Sequence, residues 1–189
     1  MTVLYEVKTG HTKEVLKAFA KFYNEIGKNN KKIMFRYGIA AVCFLMLPRA
    51  LKLSGIYPAI CWGVGIVIII LAFARTYLTY FGLLGRDIYY KYNIKINMSF
   101  GHSGFIVEDN EKNTYKYHMI REMYADNEMY YLYMESDDLF IIPKTDFVSG
   151  SSEKFYDFMQ QNTSKEFKEV HISLKQKFIR MQTGLQNQQ

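Results

Sequence analysis

The chain has 189 residues, enough for one ordinary domain with extensions or for a small domain with a membrane element, and too few for a large multidomain machine. Its hydrophobic content of 49% is ordinary, but 16 Tyr and 14 Phe favour strands and half-buried surfaces, so a β-containing part is expected. The net charge of +6 brackets an apolar region instead of forming a basic stripe, which argues against nucleic acid as a partner.

Residues 1–32 are predicted to contain a short strand followed by an amphipathic helix. Apolar and polar residues alternate over residues 3–7, and Thr9 and Gly10 are expected to end this strand. From Thr12, a candidate N-cap, apolar residues recur at helical spacing. These residues are Val15, Leu16, Phe19, Phe22, Tyr23 and Ile26. Their stripe is expected to pack on the soluble domain or, alternatively, to lie on a membrane surface.

Residues 33–80 are predicted to form a transmembrane helical hairpin. Residues 53–74 are 22 consecutive residues without a charge. Since about 20 apolar residues cross a bilayer as a helix, one span is predicted over about residues 56–77. A shorter apolar run predicts the other span over about residues 33–47, with Pro48 ending that helix. The alternative is a soluble protein whose core is unusually apolar.

Basic residues flank the predicted hairpin on one side. The connection between the spans has two of them, Arg49 and Lys52, whereas seven lie at or beyond the outer ends of the spans. The seven are Lys28, Lys31, Lys32, Arg36, Arg75, Arg86 and Lys91. By the positive-inside rule this asymmetry predicts a multi-pass protein of the cell membrane with both termini in the cytoplasm. The charged first 30 residues also predict that no signal peptide is present.

Residues 87–162 are predicted to form a small antiparallel β domain closed by a helix, after a linker over residues 82–86. Five apolar or alternating runs, separated by polar turns, are typical of the strands of a meander. They are residues 92–100, 105–107, 115–119, 129–134 and a run that starts at Leu139. After Gly150, Ser151 or Ser152 is expected to cap the closing helix. One face of that helix carries Phe155, Phe158 and Met159.

Residues 163–189 are predicted to form a basic helical tail. A helix over about residues 164–181 places Phe167, Val170, Leu174 and Phe178 on one side and carries a net charge of +3. Three arrangements are open for it: the tail continues the closing helix, pairs with the N-terminal helix or rests on anionic lipid.

One stretch of the β region resembles a known family. The sequence MYYLYMESDDLFIIPKTDFVSGSSEKFYDFM, residues 129–159, resembles the YcxB-like proteins of bacteria. The hallmark of that family is an apolar strand running into Ile-Pro-Lys-x-x-Phe, followed by a helix with spaced Phe residues. The matching positions are Ile142, Pro143, Lys144, Phe147, Phe155 and Phe158. The resemblance implies an α+β membrane protein with two membrane helices and a C-terminal pleckstrin-homology-like domain, and it brings no established activity.

No residue is assigned a catalytic, cofactor-binding or metal-binding role. The four histidines, His11, His102, His118 and His171, are scattered without metal-ligand spacing. The two cysteines, Cys43 and Cys61, lie in apolar runs and are interpreted as small hydrophobic residues. Lys144 and Asp146 are expected to point to water after Pro143 ends its strand, while Phe147 enters the core.

The predicted function is therefore that of a membrane-anchored interaction or adaptor module and not of an enzyme. Its partners are expected to be the lipid bilayer and a protein, or a second copy that associates through Gly63 and Gly65. No cofactor is expected. The alternative is a protective membrane protein that gives immunity to a membrane-active peptide or resistance to envelope stress.

Overall fold

The computed structural model describes residues 2–26 and 30–170, without the side chains of residues 25, 30 and 31. The described chain divides into two compact units. The first contains the residues up to His11 and those from Tyr92 onward, and the second contains Thr12–Lys91. The second unit is therefore an insertion into the sequence of the first. The strand and the helix predicted within residues 1–32 fall into different units.

The inserted unit is helical. Its helices are α1 (Lys13–Glu25), α2 (Asn30–Ala50), α3 (Tyr57–Arg86) and α4 (Ile88–Lys91). The predicted N-cap of α1 is confirmed, because the Thr12 hydroxyl oxygen accepts a hydrogen bond from the Val15 amide at 3.3 Å. Hydrogen bonds with its own backbone amide and with the Thr12 side chain lower the pKa of the Glu14 carboxyl in the first turn. This helix start is thus specified locally.

The hairpin helices are longer than the sequence predicts. Pro48 lies inside α2, which ends at Ala50. The lost proline donor falls in the last turn, and the Leu51 amide still donates to the Leu47 carbonyl at 3.0 Å, so helical geometry continues past Pro48. The prediction that Pro48 ends the helix is therefore wrong.

The predicted linker over residues 82–86 is also wrong, because α3 continues through it. The Asp87 amide donates to the Leu83 carbonyl at 2.8 Å, which caps the helix just beyond Arg86. No proline lies in this stretch, and isolated glycines weaken a helix without ending it. The helix that was predicted to end near residue 77 therefore runs to Arg86.

Close packing between α2 and α3 depends on a glycine. Gly65 is buried, and a Cβ atom there would lie 3.1 Å from the side chain of Leu45 and 3.5 Å from the Ala41 carbonyl oxygen. The indole N–H of Trp62 donates to the Leu45 carbonyl at 3.3 Å. Gly65 therefore packs against α2 within the hairpin. A Cβ atom added at Gly63, in contrast, would have no atom within 4 Å.

The described residues of the first unit form two β-sheets and one α-helix. Its strands are β1 (Tyr5–Gly10), β2 (Lys95–Gly101), β3 (Gly104–Glu108), β4 (Lys112–Tyr115), β5 (Ile120–Ala125), β6 (Met129–Met134), β7 (Leu139–Pro143), β8 (Phe147–Ser149) and β9 (Phe167–Glu169), and its helix is α5 (Ser152–Thr163). The strand orders are β4-β3-β2-β1-β8 in one sheet and β7-β6-β5-β9 in the other. All described pairings are antiparallel except the parallel pairing of β5 with β9.

The N-terminal strand is an interior strand of the first sheet. β1 pairs with β2 from Tyr5 opposite Phe100 to Gly10 opposite Lys95, and it pairs with β8 on its other side. The strand prediction is confirmed, but Thr9 and Gly10 extend the strand instead of ending it. At these two positions the pairing with β2 supplies hydrogen bonds that outweigh the weak strand preference of a terminal glycine.

Two further expectations for the β region are corrected. The run over residues 115–119 is not one strand, because β4 ends at Tyr115 and Tyr117–Met119 forms a 3₁₀ turn between the two sheets. The buried Tyr117 hydroxyl donates to the Gly101 carbonyl at 2.6 Å and holds this crossing. The first long strand begins at Lys95 and not at Tyr92, since Asn93 has a left-handed backbone with φ 50°.

The basic tail does not begin as a helix. Ser164 has a left-handed backbone with φ 55° and ends α5, and the chain then extends into β9. The predicted helix is therefore wrong over residues 164–170, where β9 gains ladder hydrogen bonds from β5. The remainder of that prediction, with Leu174, Phe178 and His171, lies outside the described residues.

Candidate functional site

The helical face predicted for α5 is confirmed and forms the centre of the β domain. Phe155, Phe158 and Met159 are all buried. The Phe155 ring lies 4.8 Å from Phe100 and 5.1 Å from Phe147, which belong to the first sheet. It also lies 5.5 Å from Tyr130 of the second sheet. Phe155 therefore joins both sheets, and α5 closes the domain around it.

The motif residues before α5 end a strand and fasten a turn. Ile142 and Pro143 are buried, and Pro143 is the last residue of β7, as predicted. Lys144 does not point to water. Its ammonium group donates to the Asp126 carbonyl at 2.7 Å and lies 4.7 Å from the centre of the Tyr130 ring. Asp146 is half-buried, and its carbonyl accepts from the Lys8 amide at 3.0 Å.

Lys144 fastens a hairpin that is organised by Asp126. The Asp126 carboxylate accepts from the amides of Glu128 at 2.9 Å and Met129 at 2.8 Å, which builds the β5–β6 turn. Its second oxygen accepts from the Tyr131 hydroxyl at 2.7 Å, and this bond adds to burial in raising the pKa of Tyr131. The motif lysine is thus part of the structural framework, and its chemistry is that of a hydrogen-bond donor to backbone.

Tyr130 links the same hairpin to α5. Burial raises the pKa of Tyr130 to about 12, so the phenol keeps its proton near neutral pH. Its hydroxyl donates to the Ser152 carbonyl at 2.8 Å, at the start of α5. The role of Tyr130 was not predicted, although the apolar run of residues 129–134 is typical of a buried strand.

A polar row follows β5 where β9 pairs with it. The Glu122 carboxylate accepts hydrogen bonds from the Lys168 ammonium at 2.7 Å and from the Tyr124 hydroxyl, and these bonds lower the pKa of Glu122. Lys168 also lies 5.7 Å from the centre of the Tyr124 ring. The Lys165 ammonium donates to the Ile120 carbonyl. Residues after α5 therefore contact β5 through side chains as well as through the ladder.

A second polar cluster lies in the inserted unit, where α1 packs on α3. Arg75 Nε donates to Asn24 Oδ1 at 2.5 Å, and Asn24 Nδ2 donates to Thr79 Oγ1 at 2.9 Å. Thr79 Oγ1 donates in turn to the Arg75 carbonyl at 3.0 Å. The apolar stripe of α1, with Val15, Leu16 and Phe22 buried, thus has α3 as a packing partner. Tyr23, which was predicted within that stripe, is 60% exposed.

The apolar surface of the hairpin is almost entirely exposed. Two helical segments, Lys32–Ala50 and Tyr57–Arg86, are long and apolar enough to cross a membrane. Large apolar side chains cover their outside, and Phe73 is 76% exposed. A core helix of a soluble domain would bury such side chains, because large continuous apolar surfaces are rarely exposed on soluble monomers.

Within the described residues no three His, Cys, Asp or Glu side chains come together as a group that could hold a metal ion. His102 and His118 are exposed, and Cys43 and Cys61 are free thiols on different helices. What the domain can offer chemically is thus a rigid aromatic framework and a polar sheet edge.

Comparison with known proteins agrees with the motif. The family model described as YcxB-like protein matches residues 100–159, from the end of β2 to Met159 of α5. No curated protein gives a significant match to the chain. The match contains all six motif positions and ends before β9. The chain therefore carries a YcxB-like domain over residues 100–159.

Proposed function

We propose that this protein is a membrane-anchored interaction module, in which the hairpin lies in a lipid bilayer and the β domain binds a protein partner. The observation that carries the proposal is the exposed apolar surface of α3. Its 18 residues from Tyr57 to Ala74 carry no charge and are about 27 Å long, close to the roughly 30 Å of a hydrocarbon core. Exposing this apolar surface to water is unfavourable, and a lipid environment removes that cost.

The proposed topology places both termini in the cytoplasm. Arg75 follows the charge-free stretch of α3, and Arg86 and Lys91 follow farther along the chain. The connection between α2 and α3 carries the smaller basic charge and is assigned to the opposite side. The Arg75 side chain also contacts Asn24 of α1, so α1 is proposed to lie at the cytoplasmic surface of the bilayer.

The β domain is proposed to have a pleckstrin-homology-like architecture. Two sheets closed by a C-terminal helix support this assignment, as does the motif that leads from β7 into α5. The proposed role is recognition of a protein, because the chain after residue 92 has more acidic than basic residues and is a poor match for anionic lipid. No catalytic step is assigned to it.

Single-cysteine labelling tests the anchoring and the topology. In a Cys43→Ser/Cys61→Ser background, Ser54→Cys reports on the α2–α3 connection and Ser152→Cys reports on the β domain. A membrane-impermeant maleimide added to intact cells is expected to label position 54 and to label position 152 only after the membrane is permeabilised. Labelling of both positions from the same side would overturn the hairpin topology.

Cross-linking in intact membranes tests the interaction role. We expect a discrete cross-linked product that contains this chain and a second protein, and we expect less of it when Phe155→Ala destabilises the domain. A matched variant on the surface of the same helix, Lys154→Ala, should retain the product. Recovery of uncross-linked monomer alone from both variants and from the parent chain would count against an interaction module.

A further inference from the structure

The edge of β5 opposite β6 is covered by a strand that the chain contributes after its closing helix. β9 pairs in parallel with β5, with Met123 opposite Phe167 and Ala125 opposite Glu169. The pairing is extended by the Val170 amide, which donates to the Ala125 carbonyl at 3.0 Å. A four-residue extended segment, residues 167–170, therefore occupies this edge in the manner of an added strand.

Two apolar side chains anchor this segment. The Phe167 ring stacks on Tyr156 of α5 at 4.7 Å and lies 5.3 Å from the Tyr130 ring. Phe167 and Val170 are buried, whereas the intervening Lys168 and Glu169 are exposed. The site on the domain thus holds an aromatic ring against Tyr156 of α5 and Tyr130 of β6, and three positions later it buries a branched aliphatic side chain.

A charged group fixes the residue that follows the aromatic anchor. Lys168 donates to the Glu122 carboxylate at 2.7 Å and lies over the Tyr124 ring. Glu122 therefore favours a basic residue immediately after the aromatic residue and disfavours an acidic one. The backbone ladder supplies affinity that does not depend on sequence, and the three side-chain contacts supply specificity.

The segment has the features of a ligand joined to the domain and not of a structural strand. Three residues form β9, and their parallel pairing is less stable per residue than antiparallel pairing. Ser164, in a left-handed conformation, separates the segment from α5. The family match covers β5 and ends at residue 159, so the β5 edge lies within the matched residues and the segment lies outside them.

We propose that the β5 edge is the peptide-binding site of the domain, occupied in the free protein by the chain's own residues 167–170. A partner protein binds there by displacing this segment with an extended, parallel strand of the same chemistry: an aromatic residue, a basic residue, any residue and a β-branched aliphatic residue. This inference rests on the proposed interaction function and names its site and its ligand. The tethered segment competes at an effective concentration on the order of millimolar, so it also sets the threshold for partner binding.

A labelled peptide of residues 163–170, TSKEFKEV, tests the proposal by fluorescence anisotropy with the full chain in detergent micelles. The parent chain is expected to bind it weakly. Phe167→Ala in the full chain weakens the tethered competitor, so this variant should bind the peptide about tenfold more tightly or better. The same peptide with Ala in place of its Phe should lose about tenfold or more in affinity, since it lacks the aromatic anchor.

A matched control variant and a variant with β9 held by a disulfide distinguish peptide binding from a general loosening of the domain. Phe140→Ala removes a half-buried ring that contacts Phe105 and Tyr115, away from β5, and should bind the peptide as the parent chain does. In the Cys43→Ser/Cys61→Ser background, Ala125→Cys with Glu169→Cys places two thiols at paired positions. The oxidised monomer should bind no peptide, and reduction should restore binding.

The proposal is overturned if peptide affinity is the same for Phe167→Ala and Phe140→Ala, or for the oxidised and the reduced double-cysteine chain. It is also overturned if the disulfide forms between two chains, because the segment of a second copy then occupies the edge. None of these results would exclude a cross-linked partner in membranes, so the proposed interaction role would still stand. Peptide binding that follows the expected order, together with no cross-link in membranes, would instead remove the proposed partner role while the site stands.

Discussion

At the scale of single residues, the domain depends on side chains that touch several elements at once. Phe155 contacts rings on β1, β2, β6 and β8, through Tyr5, Phe100, Tyr130 and Phe147. The helical spacing of Phe155 and Phe158 predicts their burial, but the identity of their partners follows only from the folded topology.

Truncation of Phe155 is expected to be severely destabilising. Phe155→Ala leaves a cavity among fully packed rings, and such substitutions cost about 3–5 kcal/mol of unfolding free energy. Val148→Ala on β8, where the side chain is 58% exposed, should change the unfolding free energy by no more than about 0.5 kcal/mol. Denaturant unfolding in detergent, followed by tyrosine fluorescence, compares the two variants. Equal midpoints would contradict the central role of Phe155.

Lys144 is expected to act through stability and not through chemistry. Lys144→Met removes the bond to the Asp126 carbonyl and the contact over Tyr130, which should cost roughly 1–2 kcal/mol. Lys154→Met, on the exposed side of α5, is the matched control and should be neutral within about 0.5 kcal/mol. Thermal unfolding compares the stabilities of the two variants with that of the parent chain. A stability of Lys144→Met equal to that of the control would show that the hydrogen bond contributes nothing.

At the scale of elements, local contacts specify some segments and tertiary contacts specify others. The cap at Thr12, the alternation in β2 and the apolar run of β6 can be seen in a short window of sequence, and α1, β2 and β6 were predicted. β9 cannot be seen in that way, because its residues have helical spacing and its partner strand lies more than 40 residues earlier. A three-residue strand forms only where an existing edge supplies its hydrogen bonds.

The docking of β9 is expected to weaken in acid. Hydrogen bonds from Lys168 and Tyr124 lower the folded-state pKa of Glu122. The ionised carboxylate therefore stabilises the docked strand above the ordinary glutamate pKa of about 4.3, and that contribution is lost as the pH falls through the lowered folded pKa.

Hydrogen exchange measures this loss. The Val170 amide bonds to Ala125 only when β9 is docked, so its protection factor should fall between about pH 5 and pH 3. Glu122→Gln has no titrating group at this position and should show a smaller change over the same range. An identical pH dependence in the two proteins would exclude Glu122 as the cause.

The interior position of β1 predicts an asymmetric response to proline. Val7 pairs with Met98 on one side and with Phe147 on the other. Val7→Pro removes an amide donor from the middle of the sheet and should destabilise the domain by about 3 kcal/mol or more. Val3→Pro lies before the strand begins and should cost much less. If the midpoints of denaturant unfolding were equal for the two variants, β1 would not be an integral strand.

At the scale of the whole molecule, the sequence indicates how the protein is organised more clearly than it indicates which residues are in contact. The charge-free window, the basic flanks and the YcxB-like motif are all local features, so the apolar hairpin and the family could be predicted. The contact between Asn24 and Arg75 joins residues 51 positions apart, and that between Lys144 and Asp126 joins residues 18 apart. Neither has a periodic signature, because polar pairs of this kind are specified by the fold and not by spacing.

The proposal that the α2–α3 hairpin lies in lipid can be tested with the single tryptophan of the chain, without any substitution. Trp62 lies in α3, 51% exposed on the hairpin surface and near the end of the span where aromatic residues favour the membrane interface. The measurement is quenching of its fluorescence in reconstituted vesicles by lipids brominated on their acyl chains and by aqueous iodide. Strong quenching by brominated lipid with little quenching by iodide is the predicted result. Strong quenching by iodide with none by brominated lipid would show that α3 does not lie in the bilayer.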